Sequence, residues 1–305
     1  MALPCAPQML DFWRGGGKIG AMKIPPVAVK TVLVTGCSTG IGFATARVLR
    51  EHGWNVVPTA RKSEDLDKLR AAGFGPIELE ISDSTSVRRV AEEVLRTFGG
   101  QLGAIVGNAG FGQPGAIEDL TRDAMRYQFE VNVFGLQELT NCFVPVFRKQ
   151  GYGRIVNVSS VLGRITIPFM GIYAASKYAV EAISDAQRVE LRGSGVMVSV
   201  VEPGPIQTAF RKNSVERARA QVGLIKSVFD ARYRKQVSGD DPEEKFTDRF
   251  AKPPEAVAFK ILHALESSRP RTRYPVTLPA YAGSFMRRFA PDWFMDRAMS
   301  ARMKA

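Results

Sequence analysis

The chain has 305 residues, a net charge of +12 and a hydrophobic fraction of 45%. That fraction is enough for a large core and excludes wholesale disorder, and no apolar run reaches the roughly 18 residues that cross a bilayer. The three cysteines and two histidines have no metal-ligand spacing, so we expect no metal site and a reducing compartment.

The charge is unevenly distributed along the chain. Residues 31–208 contain 18 basic and 18 acidic side chains, whereas residues 209–305 contain 20 basic and 11 acidic ones. No nucleic-acid-binding motif accompanies the excess, so it favours a membrane surface or an anionic substrate over nucleic acid. We therefore expect a cytoplasmic protein that contacts the membrane peripherally through its basic C-terminal part.

Residues 1–29 mix proline, glycine and apolar side chains without periodicity and contain no apolar signal-peptide core. They are interpreted as a disordered or flexible extension, and Met22 is a second candidate for the initiator. Residues 30–305 are then a single domain.

The first predicted strand, Lys30–Thr35, leads into a glycine-rich turn and a helix that ends near His52. Such a turn lets main-chain N–H groups approach phosphates at the N-terminus of the helix. A turn without a ligand is the alternative, but the strand before it and the helix after it favour binding. The predicted contacts are Gly36, Ser38, Thr39, Gly40, Ile41 and Gly42.

Three further strands are predicted in the first half of the chain. Trp54–Ala60 is the second, with Pro58 placed at its end because a central strand rarely tolerates proline. Ile77–Ile81 is the third, and Asp83 then caps a helix over residues 84–98. Leu102–Val106 is the fourth, followed by Gly107-Asn108-Ala109-Gly110.

The middle of the chain carries the candidate chemistry. A helical region over residues 121–150 contains Asn132, and a buried strand begins at Arg154 and ends at Ser159 and Ser160. In the next helix Tyr173 and Lys177 stand at i and i+4, on one face. An ammonium beside a phenol lowers its pKa, which suits Tyr173 to general acid–base catalysis, although any amphipathic helix can carry this pair.

The last third of the chain completes the strand–helix alternation. A sixth strand, Val196–Val201, precedes the loop 203–208; residues 209–252 are polar and weakly periodic; a helix over 253–267 and a strand Arg273–Thr277 follow. Residues 279–305 form an aromatic and basic helical tail, interpreted as a helix docked on the core or as a lid or membrane contact. The alternation predicts an α/β fold: a doubly wound (Rossmann) parallel sheet of about seven strands with helices on both faces.

Residues 30–208 resemble the ordinary-length branch of the short-chain dehydrogenase/reductase superfamily. Ser160, Tyr173 and Lys177 match its serine and its Tyr-x-x-x-Lys motif, and the separation of thirteen residues selects Ser160 over Ser159. Within the superfamily the chain is similar to the retinol dehydrogenase and 17β-hydroxysteroid dehydrogenase-like group, including bacterial NADP-dependent aldehyde reductases.

The resemblance implies a set of site residues. Asn132, Ser160, Tyr173 and Lys177 would be catalytic, with Tyr173 and Lys177 also at the cofactor. Residues 209–252 would close over the substrate. Two positions depart from the family: Gly107 replaces the first asparagine of Asn-Asn-Ala-Gly, and Glu80 replaces an aspartate. The remaining implied cofactor contacts are Arg61, Glu80, Ile81, Asn108, Ala109, Gly110, Pro203, Gly204, Ile206 and Thr208.

The expected cofactor is NADP(H). In this fold an acidic residue near the end of the second strand binds the ribose diol, and Ala60 stands there instead, followed by Arg61 and Lys62. The expected reaction is hydride transfer to or from a hydrophobic aldehyde, ketone, retinoid or steroid, in a homodimer or homotetramer. The alternatives are a 3-ketoacyl-type reductase and a non-catalytic NADP(H)-sensing protein on the same fold.

Overall fold

The structure is a computed structural model that describes residues 24–221, 227–238 and 249–300. Seven parallel strands form one sheet in the order β3-β2-β1-β4-β5-β6-β7. The predicted Rossmann sheet is therefore confirmed. The strands are β1 (Thr31–Val34), β2 (Asn55–Ala60), β3 (Ile77–Glu78), β4 (Ala104–Gly107), β5 (Gly153–Val158), β6 (Val196–Glu202) and β7 (Arg273–Pro275).

Helices cover both faces of the sheet. One core cluster joins α1 and α9 to the strands, and a second joins α3 and α5 to the opposite face. Because the strands are parallel, their carboxyl ends lie along one edge of the sheet. Ligands bind at this edge in such folds. The helices are α1 (Gly40–Glu51), α2 (Ser63–Ala71), α3 (Ser84–Thr97), α4 (Arg122–Phe129), α5 (Gly135–Gln150), α6 (Gly171–Glu190), α7 (Phe210–Gln221), α8 (Asp230–Ser238), α9 (Glu255–Glu266), α10 (Leu278–Phe289) and α11 (Asp292–Ser300).

The position predicted for Pro58 is wrong. It is the fourth of the six residues of β2 and pairs with Val34 of β1, rather than ending the strand. On the other side, β3 pairs only with Thr59 and Ala60. A proline there removes no bond to β3, because that strand begins opposite the next residue. Since β3 stops at Glu78, Glu80 and Ile81 lie in the turn after it rather than in the strand.

The domain begins before residue 30. The Ile24 N–H donates to the carbonyl of Ser268 (3.2 Å), and Arg154 Nη2 donates to the carbonyl of Pro25 (2.6 Å). Val27 also packs against the core. Residues 24–29 therefore lie against the domain rather than in an extension, while residues 1–23 lie outside the described part of the chain.

The C-terminal tail forms two helices, α10 and α11. Ala280 and Gly283 are the buried positions of α10, and Gly283 faces Val161 and Ile165. The tail therefore lies beside the turn that follows β5. Among the described residues, none of the helices combines the length and apolarity that crossing a bilayer requires.

Candidate active site

Ser160, Tyr173 and Lys177 converge at the carboxyl end of β5. Ser160 lies two residues beyond β5, and its hydroxyl accepts a hydrogen bond from the Leu162 N–H (3.1 Å), which opens the short 3₁₀ turn Val161–Gly163. The Tyr173 side chain, from the first turn of α6, lies close enough to the Ser160 hydroxyl for the two groups to interact. The structure thus places the donor pair that the sequence predicted side by side.

Lys177 is fixed one turn further along α6. It is 4% exposed, its Nζ donates to the carbonyl of Val158 (2.8 Å), and Nζ lies 5.9 Å from the centre of the Tyr173 ring. A buried ammonium is therefore anchored to the last residue of β5, near the Tyr173 ring.

The expectation that Lys177 lowers the pKa of Tyr173 is not met in this structure. Burial raises the pKa of Tyr173 to about 12, and the interaction with Ser160 only opposes that shift. Burial also lowers the pKa of Lys177 to about 8, opposed by the charge of Glu181. Desolvation disfavours the charged form of each group and outweighs their mutual effect. Near neutral pH the site holds a protonated phenol and a protonated lysine.

Asn132 lies in a π-helical turn, Glu130–Phe134, between α4 and α5. Such turns recur at functional sites. The Asn132 side chain accepts from the N–H of Phe111 and donates to its carbonyl, both at 3.0 Å, and also donates to Ser176 Oγ (3.1 Å). It therefore ties the loop after β4 to the helix that carries Tyr173 and Lys177.

The glycine-rich turn packs so closely that side chains are excluded. A Cβ on Gly42 would lie 2.1 Å from the carbonyl oxygen of Gly36, and one on Gly36 would lie 2.9 Å from Ala109 Cα. Gly36 also has a φ of +70°, a region that glycine adopts without strain. A Cβ on Gly40 would be 3.0 Å from Thr208. The turn after β1 thus meets the loops after β4 and β6. This cradle of main chain fits the phosphates of a dinucleotide at the N-terminus of α1.

Asn108 and Thr35 hold the two central loops together. Asn108 Nδ2 donates to the carbonyls of Thr35 (2.9 Å) and Gly36 (3.0 Å). Thr35 Oγ1 accepts from the N–H groups of Asn108 and Ala109, both at 2.9 Å. Sequence reasoning missed Thr35; its signal was its place as the hydroxyl residue between β1 and the first glycine.

Arg61 directly follows β2, at the position where a ribose phosphate would bind. Its Nη1 is 3.5 Å from Glu80 Oε2 and 3.2 Å from the Tyr127 hydroxyl. Glu80 Oε1 accepts from the N–H and hydroxyl of Ser82, so that carboxylate is held in place. Arg61 is half-exposed and can turn toward an anion above this edge.

The loop Pro203–Thr208 is braced from the C-terminal region. A Cβ on Gly204 would lie 2.1 Å from Thr277 Oγ1, so Gly204 is in close contact with the start of α10. Ile206 forms a β-bridge with Lys252, and the Thr208 hydroxyl accepts from the Phe210 N–H (3.3 Å). These contacts fix the main chain beside Gly40 and Tyr173.

Sequence reasoning missed one aromatic side chain beside the Tyr173 ring and an aromatic cluster that precedes α6. The Phe210 ring, at the start of α7, lies 5.5 Å from the Tyr173 ring. Phe169 has a φ of +62°, unusual for a residue with a Cβ, and packs edge-on against Phe229 (5.3 Å) and Tyr233 (5.8 Å). These aromatic residues are far apart in the sequence, so no local pattern predicted that they would be neighbours.

A buried group of charges behind α6 was also missed. Glu181, Glu202 and Arg273 meet there, on α6, β6 and β7 respectively. The available signal was that Glu181 follows Lys177 by four residues and so shares its helix face. Among the described residues no cluster of side chains suits a metal ion.

Comparison with known proteins places this geometry in a family. Residues 30–219 match the family model described as short chain dehydrogenase. The chain is 40% identical over 275 residues to the uncharacterized oxidoreductase YbbO of Escherichia coli strain K12, covering 90% of this chain and 95% of that protein.

Two further relatives extend the comparison. A 3-ketodihydrosphingosine reductase of Bacteroides thetaiotaomicron is 36% identical over 183 residues, covering 60% of this chain and 66% of that protein. A solved short-chain dehydrogenase/reductase of Burkholderia phymatum, in complex with NAD, superposes with a TM-score of 0.73 at 25% identity, covering 87% of this chain and 95% of that one.

Proposed function

The chain belongs to the short-chain dehydrogenase family of oxidoreductases, and we propose that it transfers a hydride between NADP(H) and the carbonyl or alcohol carbon of a small hydrophobic substrate. The observation that carries this proposal is the convergence of Ser160, Tyr173 and Lys177 beside the glycine cradle.

Each catalytic side chain has a distinct task. Ser160 Oγ and the Tyr173 hydroxyl hydrogen-bond the substrate oxygen, which polarises the carbonyl. The nicotinamide of the bound cofactor supplies the hydride. Tyr173 gives its proton to the substrate oxygen, and its raised pKa means that this proton is present at neutral pH. Lys177 stabilises the phenolate that remains, because its ammonium lies on the same side of α6.

Two residues are proposed to position this machinery rather than to transfer protons themselves. Asn132 holds Phe111 and Ser176, so it keeps the loop after β4 against α6. Asn108 holds the glycine turn. Lys177 would bind the ribose hydroxyls, and its Nζ lies beside Gly110, 3.6 Å from the position of a Cβ there.

The proposed preference for NADP(H) rests on the end of β2. Ala60 supplies no carboxylate for a ribose diol, whereas Arg61 supplies a guanidinium suited to a phosphate. Glu80 lies 3.5 Å from Arg61 in this structure, so an incoming phosphate would compete with that carboxylate. Losing the contact between Arg61 and Glu80 costs little, because one exposed ion pair contributes little to stability. Arg61 is therefore available to a phosphate, which supports NADP(H).

The proposed substrate is apolar. Phe210 packs on Tyr173, and the cluster of Phe169, Phe229 and Tyr233 lies just before α6. The relative named 3-ketodihydrosphingosine reductase supports a ketone or alcohol on a hydrophobic chain. These rings are the aromatic contact area on which the proposal of an apolar substrate rests.

The proposed second partner is an anionic membrane surface, contacted by the tail. Leu278, Tyr281, Phe285 and Phe289 recur at helical spacing along α10, and each is exposed. Arg288 and Arg297 are exposed beside them. Interfacial helices combine such an apolar line with cations. We propose a cytoplasmic protein, oligomeric as the family commonly is, that meets the bilayer at this surface.

A carbonyl panel tests the function. NADPH oxidation is followed with retinal, steroid ketones, a 3-ketoacyl thioester and medium-chain aldehydes, alongside direct NADPH titration. The proposal predicts turnover of at least one apolar aldehyde or ketone. Preferential turnover of the thioester would favour a 3-ketoacyl-type reductase, and tight NADPH binding without turnover of any compound would favour a sensor.

A further inference from the structure

A partly buried group of five charged side chains lies behind α6. Arg273 is at its centre: its Nε is 3.1 Å from Glu181 Oε2 and 3.3 Å from Glu202 Oε1, and its Nη2 is 2.6 Å from Asp185 Oδ2. Arg164 Nε lies 3.8 Å from the same Glu202 oxygen. We call these five residues the Arg273 cluster.

The Arg273 cluster joins α6, the end of β6 and the chain just after the turn that begins at Ser160. Glu181 and Asp185 belong to α6, Glu202 precedes the loop 203–208, and Arg164 follows the turn that begins at Ser160. The Glu181 side chain is 6% exposed and that of Glu202 is 1% exposed. Carboxylates this deeply buried require compensation, which the two arginines supply.

Burial and the two arginines act on both Glu181 and Glu202. Burial and the like charge of Glu181 raise the pKa of Glu202 to about 7, and Arg164 and Arg273 oppose that shift. Burial also raises the pKa of Glu181, and Ser159, Arg273 and Arg164 oppose the shift. The arginines therefore favour the ionised form of each carboxyl.

Glu181 also shares a buried helix face with Lys177. It follows Lys177 by one helical turn, and both side chains are buried on the same face of α6. The other groups around Lys177 are neutral near pH 7: the Tyr173 phenol, the Val158 carbonyl, and Asn132 near Gly110. Glu181 is the carboxylate whose charge acts on the Lys177 ammonium.

We propose that Glu181 is a positioning residue, the buried counter-ion that keeps Lys177 protonated, and that Arg273 keeps Glu181 ionised by bridging it to Glu202. A buried ammonium without such a counter-ion releases its proton. This inference rests on the proposed role of Lys177 in catalysis, but the pairing itself is a property of the protein without cofactor. It can therefore be tested separately from activity.

The first test is a double-variant cycle on the cofactor-free protein. The urea midpoint is measured at pH 7 for wild type, Glu181→Gln, Lys177→Met and the double variant. Counter-ion pairing predicts that Glu181→Gln lowers the midpoint in wild type and that Lys177→Met removes at least half of that loss. Equal losses in both backgrounds would overturn the proposal. If Glu181→Gln alone does not fold, pairing predicts that the double variant does, and a double variant that also fails to fold would overturn it.

The second test is the pH profile of kcat/KM for the best aldehyde of the panel. An opposite charge within about 4–6 Å shifts a pKa by about 1–3 units. Glu181→Gln should lower the pKa of Lys177. The fall in kcat/KM at alkaline pH should then begin about one pH unit or more lower, while the acidic side of the profile stays unchanged. Glu181→Asp retains the charge, so its fall in kcat/KM should begin close to the wild-type pH.

Asp185→Asn is the matched control. Asp185 also binds Arg273 but lies one turn further from Lys177 and is 43% exposed. Asp185→Asn should therefore show the same alkaline fall in kcat/KM as the wild-type protein. If Glu181→Gln and Asp185→Asn give the same profile as wild type, Glu181 does not act on Lys177. An inactive enzyme on every carbonyl would contradict the proposed function instead, and the urea cycle would still decide the pairing.

Discussion

The ammonium of Lys177 donates a hydrogen bond to the main-chain carbonyl of Val158, the last residue of β5, over 2.8 Å. This bond fixes the catalytic helix to the end of the central strand, in a place so buried that the pKa of Lys177 falls to about 8. The burial that holds Lys177 beside Tyr173 therefore also makes its charge sensitive to pH in the range near 8.

That sensitivity predicts an alkaline limit for carbonyl reduction. Below a pH of about 8 the Lys177 ammonium is present, and above it the charge is lost. The Tyr173 phenol, with a pKa of about 12, stays protonated across this range. We expect kcat/KM for reduction to fall as pH rises through about 8, measured by NADPH oxidation in constant-ionic-strength buffers. A profile that stays flat up to about pH 10, the ordinary pKa of lysine, would contradict the account.

Arg61→Ala should change the choice of cofactor. A charge-assisted hydrogen bond contributes about 1.5–3 kcal/mol, so NADPH affinity should fall by about 10–100-fold while NADH affinity stays nearly constant. The measurement is kcat/KM for each cofactor with one aldehyde. Lys68→Ala is a control, because Lys68 is an exposed cation of α2 paired with Asp65 (3.1 Å). Equal losses for both cofactors, or a wild-type preference for NADH, would show that Arg61 does not bind the phosphate.

The tail is best tested by point substitutions rather than by deletion. A deletion from residue 279 removes Ala280, whose N–H lies 3.6 Å from the Cβ position of Gly204, so it would disturb the cofactor loop as well. Phe285, Phe289 and Trp293 are 66–68% exposed and can be replaced by serine with little effect on the core.

The triple serine variant should lose sedimentation with anionic liposomes while keeping its NADPH affinity. Interfacial binding depends on buried apolar area together with attraction to anionic lipid. Phe259→Ser is the control, since Phe259 is 52% exposed on α9, outside the tail. If wild-type protein remains in the supernatant with anionic vesicles, the membrane contact is refuted.

Gly107 illustrates a departure from the family that the structure explains. A Cβ at Gly107 would lie 2.8 Å from Asn157 Oδ1, and Asn157 is held by its hydrogen bond to Ser184 (2.9 Å). Gly107→Asn should therefore destabilise the protein by about 1–3 kcal/mol in urea unfolding, because an overpacked core must shift.

The clash at Gly107 also predicts its own rescue. Asn157→Ala should recover part of the loss in the Gly107→Asn background, since it removes the obstructing amide. Gly99→Asn is the control: its Cβ would meet nothing within 4 Å, and asparagine tolerates its φ of +62°. An unchanged urea midpoint for Gly107→Asn would contradict the packing explanation.

Local patterns were sufficient for most of the architecture. Alternating apolar strands and amphipathic helices predicted the seven-stranded sheet, and Asp83 caps α3 as expected, accepting from the Thr85 N–H (2.9 Å). Pro58 was misplaced because its tolerance depends on where β3 begins, which is a property of the neighbouring strand. Residues 24–29 were misassigned because their bonds go to distant residues such as Arg154.

The site was predictable only where its residues follow a short motif. Tyr173 and Lys177 were found by their i, i+4 spacing, but their pKa values depend on burial, which the spacing does not report. Arg273 follows Glu181 by 92 residues, so no local pattern joins them. The contacts of Arg273 depend on the order of the strands, which places β7 beside β6 in the sheet.

Tyr173→Phe tests the central claim most directly. The ring and its contact with Phe210 remain, and only the proton donor is lost. Single-turnover oxidation of bound NADPH by the best aldehyde is measured in parallel with the NADPH Kd. We predict a fall of about 10²–10⁴-fold in the chemical step with an unchanged Kd. A variant that keeps more than about a tenth of the wild-type rate would show that Tyr173 is not the acid–base residue.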